Sequence, residues 1–152
     1  MSRAERAKEY FQQGYACSQA VALAFADIMG IDGDTVMKLM LPFGGGMGRL
    51  RLTCGAISGM AAVIGAVFAS AENSPEHKKQ TYAIVQTLCG KFKDKYGTLV
   101  CGELLQGMKV PVEVGGTAEE RTQEYYKKRS CAEIVYDTAE ILETYLKEQN
   151  KI

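Results

Sequence analysis

The sequence predicts an all-α fold: a single-domain bundle of about six to seven helices over residues 1–152, built around a central helix rich in small residues. Helix start and stop signals recur along the chain, and no long strand-type alternation is present. No linker, internal repeat or low-complexity segment divides the sequence. A chain of 152 residues is also about the length of one domain.

The N-terminal part begins with a capping box, in which Ser2 precedes Glu5 by three residues. A second helix is expected from about Cys17 to Met29 because a glycine follows it. Asp34 can cap a short third helix, which must end before Pro42. These signals predict three helices before the glycine-rich segment.

The stretch from Leu52 to Ala71 contains twenty residues without a charge. That length could cross a bilayer, but its many glycines and alanines favour a helix buried inside a bundle. We expect this central helix to begin at Thr53 and to end near Ser70. The segment Phe43 to Gly48 before it holds four glycines and is predicted to be a loop.

The C-terminal half has equally clear helix signals. Ser74 followed by Pro75 predicts the start of a long helix that ends at Gly97. Thr98 can cap a short helix after it. Two capping boxes are expected to open the last two helices: Thr117 with Glu120, and Ser130 with Glu133.

Charge and composition exclude several classes of function. Acidic and basic residues balance at 18 each, so nucleic-acid binding is disfavoured. The N-terminus is mixed in charge and lacks a signal-peptide core, which predicts a cytoplasmic protein without membrane association. In a reducing cytoplasm, the five cysteines are expected to be thiols, metal ligands or catalytic groups rather than structural disulfides.

Four cysteines fall at or just before predicted helix starts: Cys17, Cys54, Cys101 and Cys131. The fifth, Cys89, lies inside a helix beside an apolar stripe and is expected to be a packing residue. The N-terminus of a helix offers free N–H groups and a positive dipole end, which stabilise an anionic sulfur. We therefore expect thiols with lowered pKa values. The same N–H groups would suit sulfurs bound to iron.

Positive side chains adjoin two of these cysteines in the sequence. Arg49 and Arg51 precede Cys54, and Lys128 with Arg129 precedes Cys131. They predict an electropositive pocket shared by the four sulfur atoms. The only histidine, His77, lies in a charged helix start and is expected to be a surface residue.

The four cysteines and their flanks resemble a known family. Residues 54–59 read CGAISG and match a CGAxxG signature, Cys17 lies in the preceding segment GYACSQAV, and Cys101 and Cys131 follow in order. This pattern is similar to the bacterial and archaeal C_GCAxxG_C_C family of redox-active proteins, over Phe11 to Val135. The family name writes the motif as GCAxxG, whereas residues 53–56 here read TCGA.

The resemblance implies that Cys17, Cys54, Cys101 and Cys131 are the functional set, with the activity of a thiol oxidoreductase or an electron-transfer protein. A redox partner or a small-molecule oxidant or reductant is then expected, and a homodimer stays open. The first alternative is that the same four cysteines bind a metal ion or an iron–sulfur cluster. The second is a non-catalytic helical assembly module in which the cysteines only pack.

The glycines around the central motif have two interpretations. Gly45, Gly46 and Gly55 allow the backbone to pass close to the helix start at Cys54. They are also candidate cofactor-binding residues, because a glycine-rich backbone can approach a ligand closely. The segment lacks the Lys-Ser/Thr ending of a phosphate-binding loop and follows no strand.

Overall fold

The computed structural model describes all 152 residues. Nine α-helices and one short 3-10 helix (Leu41–Phe43) form the chain, and it contains no β-strand beyond an isolated bridge. The helices are α1 Arg3–Gln12, α2 Cys17–Leu23, α3 Ala26–Met29, α4 Gly33–Met40, α5 Gly55–Phe68, α6 Pro75–Tyr96, α7 Cys101–Gly107, α8 Gln123–Lys128 and α9 Cys131–Glu148. The all-α prediction is confirmed, with nine helices in place of six to seven.

Several helix boundaries follow the capping signals. Ser2 and Glu5 form the reciprocal capping box of α1. The Ser74 hydroxyl accepts the N–H of His77 at the start of α6, and Gly97 ends that helix in the left-handed conformation. At the helix starts, the serine oxygens accept hydrogen bonds from terminal N–H groups. At the end of α6, a glycine with positive φ lets its own N–H bond to a terminal C=O group.

The predicted second helix is broken in two. The N–H of Phe25 bonds to the carbonyl of Ala22, three residues back, at 3.0 Å, which tightens the turn between α2 and α3. Phe25 has a φ of −121°, outside the helical range, and its ring is fully buried. Core packing of this ring therefore overrides the helical pattern.

Four predicted helix starts are wrong by a few residues, and one of them is that of α7, whose N-cap is Val100 rather than Thr98. Asp32 rather than Asp34 caps α4, and Cys54 rather than Thr53 is the N-cap of α5. No helix begins at Thr117, since α8 starts only after its cap Thr122. Instead of a capping box, the segment after Thr117 has Glu119 paired with Arg49, 70 residues away along the chain, and with Arg129.

The core lies between α1, α2, α5, α6 and α9. α9 packs against α1, α2, α5 and α6, and α5 packs against α2, α3, α6 and α9. The largest fully buried side chains of the core include Phe25, Met60, Leu88, Phe92 and Leu142. The prediction of one central helix is not confirmed, because α5 and α9 share that position and Ala66 of α5 is exposed.

None of the helices combines the length and the apolar character needed to cross a bilayer. The uncharged stretch instead forms α5, whose 14 residues end at Phe68.

A glycine permits the close packing of α2 on α5. A β-carbon at Gly59 would lie 2.6 Å from the carbonyl oxygen of Ser18 and 3.2 Å from the β-carbon of Val21. Both neighbours belong to α2, and one of them is backbone, so neither can move without moving the helix. Gly65, on the same helix, has no heavy atom within 4 Å of the position where a β-carbon would be.

We predict opposite effects for alanine at these two glycines. Gly59→Ala should lower the free energy of unfolding by about 1–3 kcal/mol, because it forces α2 and α5 apart. Gly65→Ala should raise it by about 0.5–1 kcal/mol, because it removes the entropic cost of a helical glycine. Urea denaturation followed by circular dichroism measures both, and equal changes in the two variants would contradict the close-packing interpretation.

Candidate functional site

A cavity of about 310 Å³ opens beside the starts of four helices. Four of the five cysteines line it: Cys17, Cys54, Cys101 and Cys131. Cys89 lies within α6, where it is buried in the hydrophobic core and away from the cavity. The structure thus brings together the four sulfur atoms that the sequence selects.

Each of the four cysteines occupies a helix N-terminus. Cys17, Cys101 and Cys131 are the first residues of α2, α7 and α9, and Cys54 is the N-cap of α5. The backbone N–H groups of Ala56 and Ile57 lower the pKa of Cys54. These are the free donors that a helix start provides.

Two backbone hydrogen bonds place the starts of α5 and α7 side by side. The N–H of Cys54 donates to the carbonyl of Leu99 at 2.8 Å, and the N–H of Cys101 donates to the carbonyl of Leu52 at 2.6 Å. They flank the isolated bridge between Thr53 and Val100. This antiparallel pairing is only one residue long, and such a short pairing leaves no strand pattern in the sequence that could predict it.

The glycine-rich segment forms one wall of the cavity. Residues 45–49 and Arg51 all have φ between 55° and 72°, so the chain makes a left-handed turn. The backbone N–H of Gly45 lowers the pKa of Cys17. A β-carbon at Gly46 would lie 2.6 Å from the β-carbon of Cys101, and one at Gly55 would overlap the Cys17 sulfur. Gly46 and Gly55 therefore make room for two of the cysteines, whereas a β-carbon at Gly45 would lie 2.9 Å from the α-carbon of Arg49. A role for the three glycines in binding a cofactor stays a prediction.

Four arginines and one glutamate are the charged side chains that line the cavity. They are Arg49, Arg51, Arg121, Arg129 and Glu119. The guanidinium of Arg129 pairs with both carboxylate oxygens of Glu119, at 2.5 and 2.8 Å. Arg49 also reaches this carboxylate, at 3.0 Å. The pocket is electropositive, as the sequence predicts, and Glu119 joins two of its arginines.

Only part of this charge could be found from the sequence. Arg49, Arg51 and Arg129 adjoin the cysteines along the chain, and the Arg51 guanidinium lies 3.8 Å from the Cys101 sulfur. Lys128, which was also expected near Cys131, instead pairs with Glu124 on the exposed face of α8. The sequence does not indicate Arg121, since no cysteine adjoins it along the chain.

Burial raises the pKa of Cys17, Cys54 and Cys131, the last to about 12. The second contribution to the raised pKa of Cys54 and Cys131 is repulsion from Cys17. Arg129 and Arg121 lower the pKa of Cys131, but desolvation outweighs them. The prediction of lowered pKa values is therefore wrong for these three cysteines, which hold their protons at neutral pH.

No three of the histidine, cysteine, aspartate and glutamate side chains converge closely enough to hold a metal ion. A tetrahedral zinc or iron site needs four sulfur atoms about 2.3 Å from one centre. The thiols around the cavity do not fit such a site in this arrangement. His77 lies at the start of α6, outside the cavity lining.

The fold and the cavity define a small helical protein in which four thiols share one arginine-lined pocket. The model of the family described as "Putative redox-active protein (C_GCAxxG_C_C)" matches residues 15–145, and the chain belongs to this family. The resemblance seen in the sequence is thereby confirmed, and it supports redox activity at the level of the family. No curated protein and no solved structure matches the chain significantly.

The raised pKa values predict slow alkylation of the reduced protein. At pH 7–8, Cys17, Cys54 and Cys131 should react with iodoacetamide more slowly than a free thiol, because only the thiolate is nucleophilic. The rate at Cys131 should rise with pH without a plateau below pH 9. Mass spectrometry of the alkylated peptides measures each site, and a plateau near pH 7 at Cys131 would contradict the effect of burial.

Proposed function

We propose that Cys17, Cys54, Cys101 and Cys131 form one thiol–disulfide centre that exchanges electrons in pairs with a redox partner or a small-molecule oxidant or reductant. The observation that carries the proposal is that all four thiols line a single cavity, although they come from four separate helix starts. Thiols that share a cavity can form a disulfide once their α-carbons approach within about 7 Å.

The chemistry requires no group beyond the thiols and an oxidant. Two thiols lose two protons and two electrons and form one S–S bond, while the oxidant is reduced by the same two electrons. Because the cavity has four thiols, the second pair can be oxidised in the same way, or a remaining thiolate can attack the first disulfide and exchange it for another. A four-cysteine centre therefore stores up to two electron pairs.

Cys17 is the central thiol of this proposal. Its charge raises the pKa of Cys54 and of Cys131, and the charge of Cys101 raises the pKa of Cys17. Cys131 is likewise linked to the other three thiols, so the choice of Cys17 rests on its position against the start of α5. The sulfur of Cys17 lies against Gly55, the residue that follows Cys54. We infer that Cys17 takes part in the first disulfide that forms.

The raised pKa values protect the reduced centre. Neutral thiols are poor nucleophiles, so a buried thiol reacts only when its proton leaves. The N–H groups of Ala56 and Ile57 lower the pKa of Cys54, and the positive charges of Arg121 and Arg129 lower that of Cys131. These groups stabilise the thiolate at the moment of attack, while burial limits its population at rest.

We predict that Cys17→Ser abolishes or strongly slows disulfide formation. Reduced wild-type protein treated with diamide should lose the mass of two hydrogen atoms, and a peptide map should link Cys17 to Cys54, Cys101 or Cys131. Cys89→Ser is the matched control, because Cys89 lies outside the cavity, and it should oxidise as the wild type does. Oxidation of Cys17→Ser at the wild-type rate would contradict the central role of Cys17.

The midpoint potential of the disulfide should fall as pH rises, and the pH range of this fall depends on the raised pKa values of the thiols. A disulfide that takes up two electrons and two protons changes its potential by about 59 mV per pH unit while both thiols stay protonated. Because burial raises the pKa values, this slope should continue beyond pH 9. A redox titration with labelling of free thiols measures it, and a break in the slope near pH 7 would show a thiolate that the structure does not explain.

Purification without oxygen distinguishes this proposal from its two alternatives. Stoichiometric iron with visible charge-transfer absorption would replace the disulfide centre with a cluster. If none of the four thiols forms a disulfide with any oxidant and iron is absent, the packing module is supported instead. A colourless protein that cycles between dithiol and disulfide supports the proposal.

A further inference from the structure

The charges on the cavity wall do not cancel. Four arginines against one glutamate leave an excess of three positive charges around the thiols. Glu113 bonds to Arg49 at 3.3 Å from an exposed position, and counting it still leaves an excess of two. Uncompensated positive charge in a partly enclosed pocket raises the local concentration of anions.

Among the four arginines that line the cavity, Arg121 is the one without a negative partner. It forms no salt bridge, whereas Arg49, Arg51 and Arg129 each lie within 3.9 Å of the Glu119 carboxylate. Its guanidinium donates to the carbonyls of Phe11 and Tyr15, at 3.0 and 3.1 Å.

The aromatic rings around Arg121 fix its position further. The guanidinium lies 4.3 Å from the centroid of the Phe11 ring and 4.9 Å from that of Tyr125. It also lies 3.4 Å from the hydroxyl of Tyr126. These three hydrogen bonds leave two of the five N–H donors of the guanidinium free. Arg121 is thus a charged donor held in place at the cavity.

The size and the walls of the cavity indicate an organic ligand. A volume of about 310 Å³ lies at the small end of the range for ligand pockets and exceeds what an inorganic ion needs. Of the 23 residues that line it, 13 are hydrophobic, among them Leu104, Leu105 and Ile134. A short apolar body with one or two anionic groups matches this lining.

We propose that the cavity binds a small organic disulfide that carries carboxylate groups and that this disulfide is the oxidant of the thiols, an inference that rests on the proposed function. Arg121 binds one carboxylate through its free N–H donors, because a guanidinium matches carboxylate geometry. A disulfide is the oxidant that thiols reduce without a further cofactor.

The proposed reaction balances as two exchange steps. A cavity thiolate attacks one sulfur of the ligand R–S–S–R, which forms a mixed disulfide and releases RS⁻, and this anion takes the proton that the cavity thiol lost. A second cavity thiol then attacks the mixed disulfide, forms the protein disulfide and releases the second RSH. The protein loses two electrons, and the ligand is reduced to two thiols.

Three disulfides of matched size and different charge test the inference. They are 3,3′-dithiodipropionate (anionic), 2-hydroxyethyl disulfide (neutral) and cystamine (cationic). The rate at which each disulfide oxidises the reduced protein is measured by mass spectrometry and divided by the rate at which the same disulfide oxidises dithiothreitol, an uncharged reference thiol. The anionic disulfide should be at least about tenfold faster than the neutral one at low salt, and cystamine should be the slowest.

Two variants test the part played by Arg121. Arg121→Gln should reduce the advantage of the anionic disulfide by about tenfold, the loss expected when one hydrogen bond to a charged group is removed. The rate with the neutral disulfide should fall less, because it loses only the stabilisation that Arg121 gives to the Cys131 thiolate. Arg121→Lys keeps the charge and should restore part of the advantage.

If neither variant folds, the salt dependence of the wild-type rates tests the inference. Raising the salt concentration should slow dithiodipropionate, speed cystamine and leave the neutral disulfide unchanged. Equal normalised rates for all three disulfides, at any salt concentration, would overturn the preference for anions and leave the thiol–disulfide centre standing. If no disulfide compound and no diamide oxidises the cavity thiols, the proposed function fails, and this inference fails with it.

Discussion

The close approach of backbone segments at three glycines is the constraint on which the rest of the structure depends. Gly59 lets α2 and α5 pack in contact, Gly55 gives space to the sulfur of Cys17, and Gly46 gives space to Cys101. A side chain at any of them would meet backbone atoms or a cysteine. Since four helix starts must surround one small cavity, the absence of side chains at these points sets how near the thiols can come.

The thiols show how burial and helix position compete. A helix start stabilises a thiolate through its N–H groups and dipole, yet desolvation raises the pKa of Cys17, Cys54 and Cys131. The result is a group of thiols that stay protonated at rest beside donors and arginines that can stabilise the charged form. Such a centre suits chemistry that a bound reactant initiates better than reaction with any oxidant that meets the surface.

The helices and the cysteine set could be predicted from the sequence, because local capping residues and the order of cysteines are readable along the chain. What the sequence could not show depends on distant contacts. The break at Phe25 comes from core packing, and in the segment where the capping box at Thr117 fails, Glu119 pairs with a residue far along the chain. Arg121 belongs to the cavity only because the chain folds back on α1, through bonds to the carbonyls of Phe11 and Tyr15.

The left-handed turn at the glycine-rich wall has a mechanical consequence. Met47, Arg49 and Arg51 adopt positive φ without being glycine, at a cost of roughly 1–2 kcal/mol each. Arg49 holds the turn closed through its backbone and side-chain bonds to Gly115. The strained residues of the cavity wall are thus concentrated in one short turn, and the hydrogen bonds between Arg49 and Gly115 are what hold that turn against the rest of the chain.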